Sequence, residues 1–367
     1  MRLLWITLTV VSCLGLGRLA EGQHVCAYAN DNVISNAVDG YLFSNTSVTY
    51  IEPVVTGGQG SSTSFFATPF IAIAPHTNHL YVSNSGSSDI AFFTIDPASC
   101  HVTKVANYPS GGGNFAGMGI AISPNGKFLY ASNTQPATIS VLKINSDGSL
   151  SSPVQIVPLP ELLVSMAISP DGKTLVTSQS GELQVMAYTI DSASGELQFA
   201  SGVHTTGAAA GLTIDAQSKF MYVGTGSNNG LEVQVIAIGA GAQLTYVADD
   251  FFGAGTSGNC VLLSRDGKFL YVSNQISATV TTLNVNPGTG ALSFNATSSD
   301  GISFVDEPSL LATTPTGTLV FTGDFNTNGT PALGILRASS NGKLTSLGKF
   351  PLARNSGPTS IAAGVFK

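Results

Sequence analysis

The twelve residues ISPNGKFLYASN, Ile122 to Asn133, decide the fold, because the chain writes the same phrase six times. It returns as IAPHTNHLYVSN from Ile73, ISPDGKTLVTSQ from Ile168, IDAQSKFMYVGT from Ile214, LSRDGKFLYVSN from Leu263 and TTPTGTLVFTGD from Thr313. The place of Tyr130 is held in chain order by Tyr81, Tyr130, Val176, Tyr222, Tyr271 and Phe321, at intervals of 49, 46, 46, 49 and 50 residues. A period of that size belongs to solenoids and propellers. Each copy runs from a short apolar strand through a polar turn into a second strand of aromatic and β-branched residues, which is how a hairpin is written.

Each phrase is followed by a third strand-like run, such as TISVLKIN from Thr138 or TVTTLNVN from Thr279, then a turn such as Ser146-Asp147-Gly148-Ser149 and a fourth short strand. Four antiparallel strands in about 50 residues make one propeller blade. A further partial copy, VCAYANDNVISNAVDGYLF from Val25, puts Tyr28 in the Tyr130 place but lacks a first strand. Pro358 to Phe366, PTSIAAGVF, reads as that missing strand, so the expected fold is an all-β, seven-bladed β-propeller closed by pairing of N- and C-terminal strands. Closure of this kind hides edges that an open ring would expose to other chains. With 41 glycines, only 10% charged residues and 43% hydrophobic ones, the composition suits many short strands and tight turns and excludes a disordered chain.

Arg2, the apolar run Leu3 to Gly17 and the small residues Ala20 and Gly22 read as a secretory signal peptide over residues 1–22. The rest, 23–367, reads as one propeller domain, secreted or periplasmic. Val10-Val11-Ser12-Cys13 offers an alternative, a lipoprotein anchored through Cys13. No transmembrane span is expected. Taking Arg2, Arg18 and Glu21 from the 14 basic and 21 acidic residues leaves 12 against 20, with no basic stripe, so no nucleic acid partner is expected. Cys26, Cys100 and Cys260 remain; a Cys26–Cys100 bridge is possible, but a fold of this size gains its core without staples, which favours buried, unpaired thiols.

Motifs for chemistry are few. Gly111, Gly113 and Ala116 fit a dinucleotide fingerprint but precede a strand where that motif needs a helix. His76 and His79 have metal-ligand spacing, yet sit in a blade turn without a third ligand nearby in sequence; Asp249-Asp250 reads as a solvated loop pair. No nucleophile elbow is present, and no cofactor and no metal are expected.

The phrase, with its Pro-Asp-Gly-Lys turn and Tyr-Val-Ser-Asn strand, resembles the lactonase family of seven-bladed propellers and the related surface propellers named for a Tyr-Val-Thr-Asn repeat. The resemblance covers Val25 to Phe366. It implies 6-phosphogluconolactonase or carboxymuconate-cyclising activity, with a polar site at the channel mouth where a Pro-Arg-His triplet opens the first strand of some blades. Such cations would hold anionic arms and the oxyanion formed at a lactone carbonyl. Here the Arg place holds Pro69, Met118, Val164, Ala210, Asn259, Ser309 and Thr359, and the His place Phe70, Gly119, Ser165, Gly211, Cys260, Leu310 and Ser360. The only arginines after residue 22 are Arg265, in a turn, Arg337, in a late strand, and Arg354.

From sequence, then, the chain is an exported lactonase-like propeller acting as a binding or interaction module with a degenerate catalytic site, its partner a small molecule, glycan or protein at the propeller face. The alternative is a hydrolase of an uncharged lactone, with His204 as base and Ser165, Asn259 or Ser309 as donors to the carbonyl. Thr359, Glu161 and Asp306 complete the candidate mouth residues. A surface or matrix structural protein is the third reading.

Overall fold

The computed structural model describes residues 23–44, 47–61, 70–113, 119–179, 184–207, 209–225, 231–252, 258–274, 277, 279–299, 311–324, 332–351 and 360–366. The signal-peptide region, Cys13 with it, lies outside them. So do Pro69, Ala116, Met118, Asp306, Ser309, Leu310, Arg354 and Thr359.

Seven antiparallel sheets of four strands form the molecule. One sheet holds β1 (His24–Asn30), β2 (Ala37–Phe43) and β3 (Val48–Val55) with the last strand of the chain, β28 (Ser360–Phe366). The next holds β4 (Ile71–Ile73), β5 (His79–Asn84), β6 (Asp89–Ile95) and β7 (Val102–Pro109), followed by β8 (Gly119–Ile122), β9 (Phe128–Thr134), β10 (Ala137–Lys143) and β11 (Gln155–Pro158). The fourth blade is β12 (Leu163–Ile168), β13 (Thr174–Gln179), β14 (Gln184–Ile190) and β15 (Leu197–His204), and the fifth β16 (Ala209–Ile214), β17 (Phe220–Thr225), β18 (Leu231–Ile238) and β19 (Leu244–Phe252). The sixth is β20 (Gly258–Leu263), β21 (Phe269–Asn274), β22 (Thr279–Val285) and β23 (Leu292–Ser299). The seventh is β24 (Leu311–Thr313), β25 (Leu319–Asp324), β26 (Ala332–Ala338) and β27 (Leu344–Pro351).

The first strands adjoin one another in the cycle β28, β4, β8, β12, β16, β20, β24 and back to β28, which is a closed inner ring. Fourth strands form the outer rim. Closure is as the terminal sequences imply: β28 pairs antiparallel with β1 from Asn30↔Ser360 to His24↔Phe366. Asp249 and Asp250 lie within β19, not in a loop, because the alternating run Leu244–Phe252 pairs with β18 along its length.

Second strands carry the core. Every residue of β13 and β21 is buried, and Tyr28, Tyr81, Tyr130, Tyr222 and Tyr271 are at most 2% exposed. Tyr28, Tyr81 and Tyr130 reach the turn between third and fourth strands of the next blade. The Tyr81 hydroxyl donates to the Gly148 carbonyl (2.7 Å) and the Tyr130 hydroxyl to that of Gly195 (2.9 Å). Two residues before these tyrosines, the aromatic ring lies over the same turn: a Cβ on Gly195 would meet Phe128 at 2.4 Å, on Gly290 Phe220 at 2.6 Å and on Gly342 Phe269 at 2.5 Å. All three glycines have positive φ, so both conformation and space demand glycine there.

One joint is built differently. Cys26 and Cys100 form a disulfide with Cα atoms 5.5 Å apart, while Cys260 is a buried free thiol. The expectation of unpaired thiols therefore holds for Cys260 alone. Fold size gave the wrong guide, because the bridge depends on which repeat positions the cysteines occupy.

Candidate functional site

At the end of the ring where first strands turn into second strands, a cavity of about 930 Å³ opens among the turns. Its wall comes from the β4–β5 turn (Ala74 to Asn78), the end of β28 (Ala363 to Phe366), the β24–β25 turn (Thr313 to Pro315), Pro97 and Arg265. Its lining includes a histidine, His76, and an arginine, Arg265, together with Thr77, Thr313 and Thr314, whose hydroxyls bond within their own turns.

Local rules put these side chains there. Thr77 N–H bonds to the Ala74 carbonyl, closing a four-residue turn with Pro75 and His76 at its centre. His76 has φ +61°, the left-handed value this turn type needs at its third residue, which histidine reaches at a steric cost and glycine does not. Such a residue fixes where its side chain leaves the backbone. Arg265 stands in the β20–β21 turn, where other copies of the phrase have Pro75 and Pro124, and its Cβ lies 2.7 Å from the point where a side chain on Gly317 would begin. The bare Gly317 lets the arginine stem cross to the neighbouring turn. Nearby His79 is different: its ring packs edge-on against Phe92 at 5.2 Å, and partial burial lowers its pKa despite Asp147.

Sequence reading places the candidate residues at the other mouth, where first strands begin. Ser165 is there, 2% exposed on β12 at a bulge beside Leu163, and Glu161 is half-buried in the segment before β12. Asn259 lies on the first strand β20. Ser309, Thr359 and Asp306 fall outside the described residues. His204 is the exposed last residue of the outer strand β15, paired with Gln184 of β14, so two strands, β13 and β14, lie between it and β12. Among the described triplet positions at this mouth, Val164, Ala210, Gly119 and Gly211 offer no side-chain charge.

The residues that sequence reading passed over are His76 and Arg265. Both are departures from the repeated Pro-Asn/Asp-Gly turn, and that departure was the available signal. As for metals, one group of three capable side chains occurs among the described residues: the ligand atoms of His24, Cys26 and Cys100 lie within 4.8 Å of one another. Both sulfurs are committed to the disulfide, and the His24 ring bonds to the Pro97 carbonyl. His76 and His79 belong to no such group.

Comparison with known proteins adds the family. A 6-phosphogluconolactonase of Enterobacter sp. (strain 638) is 26% identical over 144 residues, 39% of this chain and 42% of that protein, so the match spans less than half of the relative's length. Among solved structures, a periplasmic gluconolactonase of Pseudomonas aeruginosa superposes with a TM-score of 0.75 at 21% identity, covering 93% of this chain and 99% of the other. A protein from Lactobacillus plantarum gives 0.73 at 18% identity, over 94% and 100%. These last two likenesses concern the fold. No helix among the described residues is long and apolar enough to cross a membrane. The family model described as "Lactonase, 7-bladed beta-propeller" matches residues 34–164 and 240–359, and the chain belongs to that family.

Proposed function

We propose that the chain is a lactone hydrolase whose reaction takes place in the turn-side cavity. The observation that carries this reading is the presence of His76 and Arg265 in one cavity of a lactonase-family propeller. His76 takes a proton from water as the oxygen attacks the lactone carbonyl. Arg265 donates hydrogen bonds to the oxyanion that forms. Collapse breaks the acyl–oxygen bond of the ring, the alkoxide recovers the proton from His76, and a hydroxy acid leaves. Base catalysis of this kind contributes about 10²–10⁴-fold, and one oxyanion donor about 10²–10³-fold.

The interaction-module reading keeps one observation in its favour, the absence of charge at the described triplet positions Val164, Gly119, Ala210 and Gly211 of the opposite mouth. Export fits either reading. Its support is the apolar run of residues 3–17 and a disulfide of the kind that persists outside the cytosol. The partner or substrate in both cases is a small molecule taken up at a propeller mouth.

Kinetics separate the readings. Opening of sugar and simple neutral lactones is followed for the intact protein and for His76→Ala, Arg265→Ala and His204→Ala. We expect turnover above a heat-treated control, a loss of about 100-fold in each of the first two variants, and no loss in the third. No turnover by the intact protein would return the chain to the interaction-module reading. Loss confined to His204→Ala would move the chemistry out of the turn-side cavity to the outer strand β15.

A further inference from the structure

Cys26 and Cys100 occupy repeat positions that at three other joints hold phenylalanine and glycine. Cys26 lies two residues before Tyr28, as Phe128 lies two before Tyr130, Phe220 two before Tyr222 and Phe269 two before Tyr271. Cys100 stands at the turn where Gly195, Gly290 and Gly342 stand, and like them it has a positive φ, +59° against +75° to +83°. The Tyr28 hydroxyl donates to the Cys100 carbonyl at 2.9 Å, as Tyr130 does to Gly195. A left-handed cysteine carries a steric cost that glycine avoids. Here, therefore, a covalent bond stands where the Gly195, Gly290 and Gly342 joints have a ring packed on glycine.

The joint is also the one at which the ring closes. In the other six sheets the first strand continues by a short turn into the second; here β28 and β1 come from opposite ends of the chain. No turn joins β28 to β1; side chains and ladder hydrogen bonds hold the two together. The β28 wall faces the cavity: Cys26 is the cross-strand partner of Gly364 and His24 that of Phe366, and both Gly364 and Phe366 line the cavity. The His24 ring bonds across the same joint to the carbonyl of Pro97, another lining residue. Fixing β1 to the β6–β7 turn thus fixes the template on which the cavity wall is laid.

We propose that the Cys26–Cys100 bond is a redox latch on the closure joint. With the bond formed, β1 is held and β28 completes the cavity. With both thiols reduced, this joint lacks the ring-on-glycine contact of the Gly195, Gly290 and Gly342 joints and also lacks the turn that joins first to second strand in the other sheets, so it opens before them and takes the β28 wall with it. Reduction consumes two external thiols: the S–S bond gains two electrons and two protons, giving two cysteine thiols and one external disulfide. Both cysteines are fully buried, so exchange requires an open joint and the state is set when the ring closes. The latch concerns the cavity wall and stands whatever reaction the cavity performs.

Hydrogen exchange read by peptide tests it, without any activity assay. In Cys26→Ser/Cys100→Ser, exchange in β28 and β1 should rise at least about 10-fold while β9 and β21 stay protected. Cys26→Phe/Cys100→Gly, which installs the contact of those three joints, should restore protection of β28 without a disulfide. Should the serine variant fail to fold while the Phe/Gly variant folds with β28 protected, the latch is upheld. Unchanged β28 exchange in the serine variant overturns it. So does a rise spread evenly over all seven sheets, or a Phe/Gly variant as labile as the serine one.

Discussion

Replacing Gly195 by alanine tests the joint that repeats around this ring. Gly195 has φ +79°, and an alanine Cβ there would lie 2.4, 2.6 and 2.7 Å from three ring carbons of Phe128, a side chain that is itself buried. Holding alanine in left-handed backbone costs about 1–2 kcal/mol. Forcing an extra carbon into a packed contact adds about 1–3 kcal/mol. Gly241→Ala is the matched control, since Gly241 has φ +66° with no atom within 4 Å of the added carbon, so only the first cost applies. An unfolding entropy of about 2.1 cal/mol/K per residue over about 340 residues converts these costs to melting shifts of roughly 3–7 °C for Gly195→Ala and roughly 1–3 °C for Gly241→Ala. Calorimetry under reversible conditions, or denaturant midpoints, gives both numbers. Adding Phe128→Ala should make the steric part vanish, leaving the double variant about 1–3 kcal/mol more stable than the sum of single effects. Equal losses for the two glycine variants would show that no ring presses on the turn, and the account of the joints would fail.

Removing residues 360–367 takes away β28 and its seven pairings with β1, at a cost of roughly 5 kcal/mol or more; an unchanged melting midpoint would show that ring stability does not depend on terminal closure. Alkaline pH should unfold the protein cooperatively. Burial pushes the phenols of Tyr188 and Tyr271 and the Cys260 thiol up to about 12, and it raises Tyr28, Tyr81, Tyr130 and Tyr222 further. A raised value in the folded state means that the stabilisation is fully present below the ordinary titration range, near 8.5 for the thiol and 10 for the phenols, and is lost as pH rises toward 12. Phenolate absorbance should therefore appear together with loss of sheet; smooth titration of these tyrosines near pH 10 in a folded ring would refute their burial.

The fold was legible because the signal was repeated. One copy of ISPNGKFLYASN is a hairpin and nothing more, but six copies in register fix strand number, blade period and even the missing strand that PTSIAAGVF supplies. The disulfide was equally written in those positions, with Cys26 in the phenylalanine place and Cys100 in the glycine place, but only a structure reveals that these two places touch across a joint. The candidate site was less legible still. Sequence could say that His76 and Arg265 depart from the turn pattern, yet they come from the β4–β5 and β20–β21 turns, which only ring closure brings to one cavity. His204 shows the converse: proximity in sequence to the first strand β16 suggested the channel, while the strand that carries His204 is the outer one.

Where the chemistry resides is best tested by a crystal structure with a lactam analogue or the hydroxy acid product bound. The account expects the ligand in the turn-side cavity, its carbonyl or carboxylate oxygen within hydrogen-bond reach of Arg265 and His76 beside the position of the attacking water. A ligand seated instead at the opposite mouth, against Ser165 and Glu161, would contradict it.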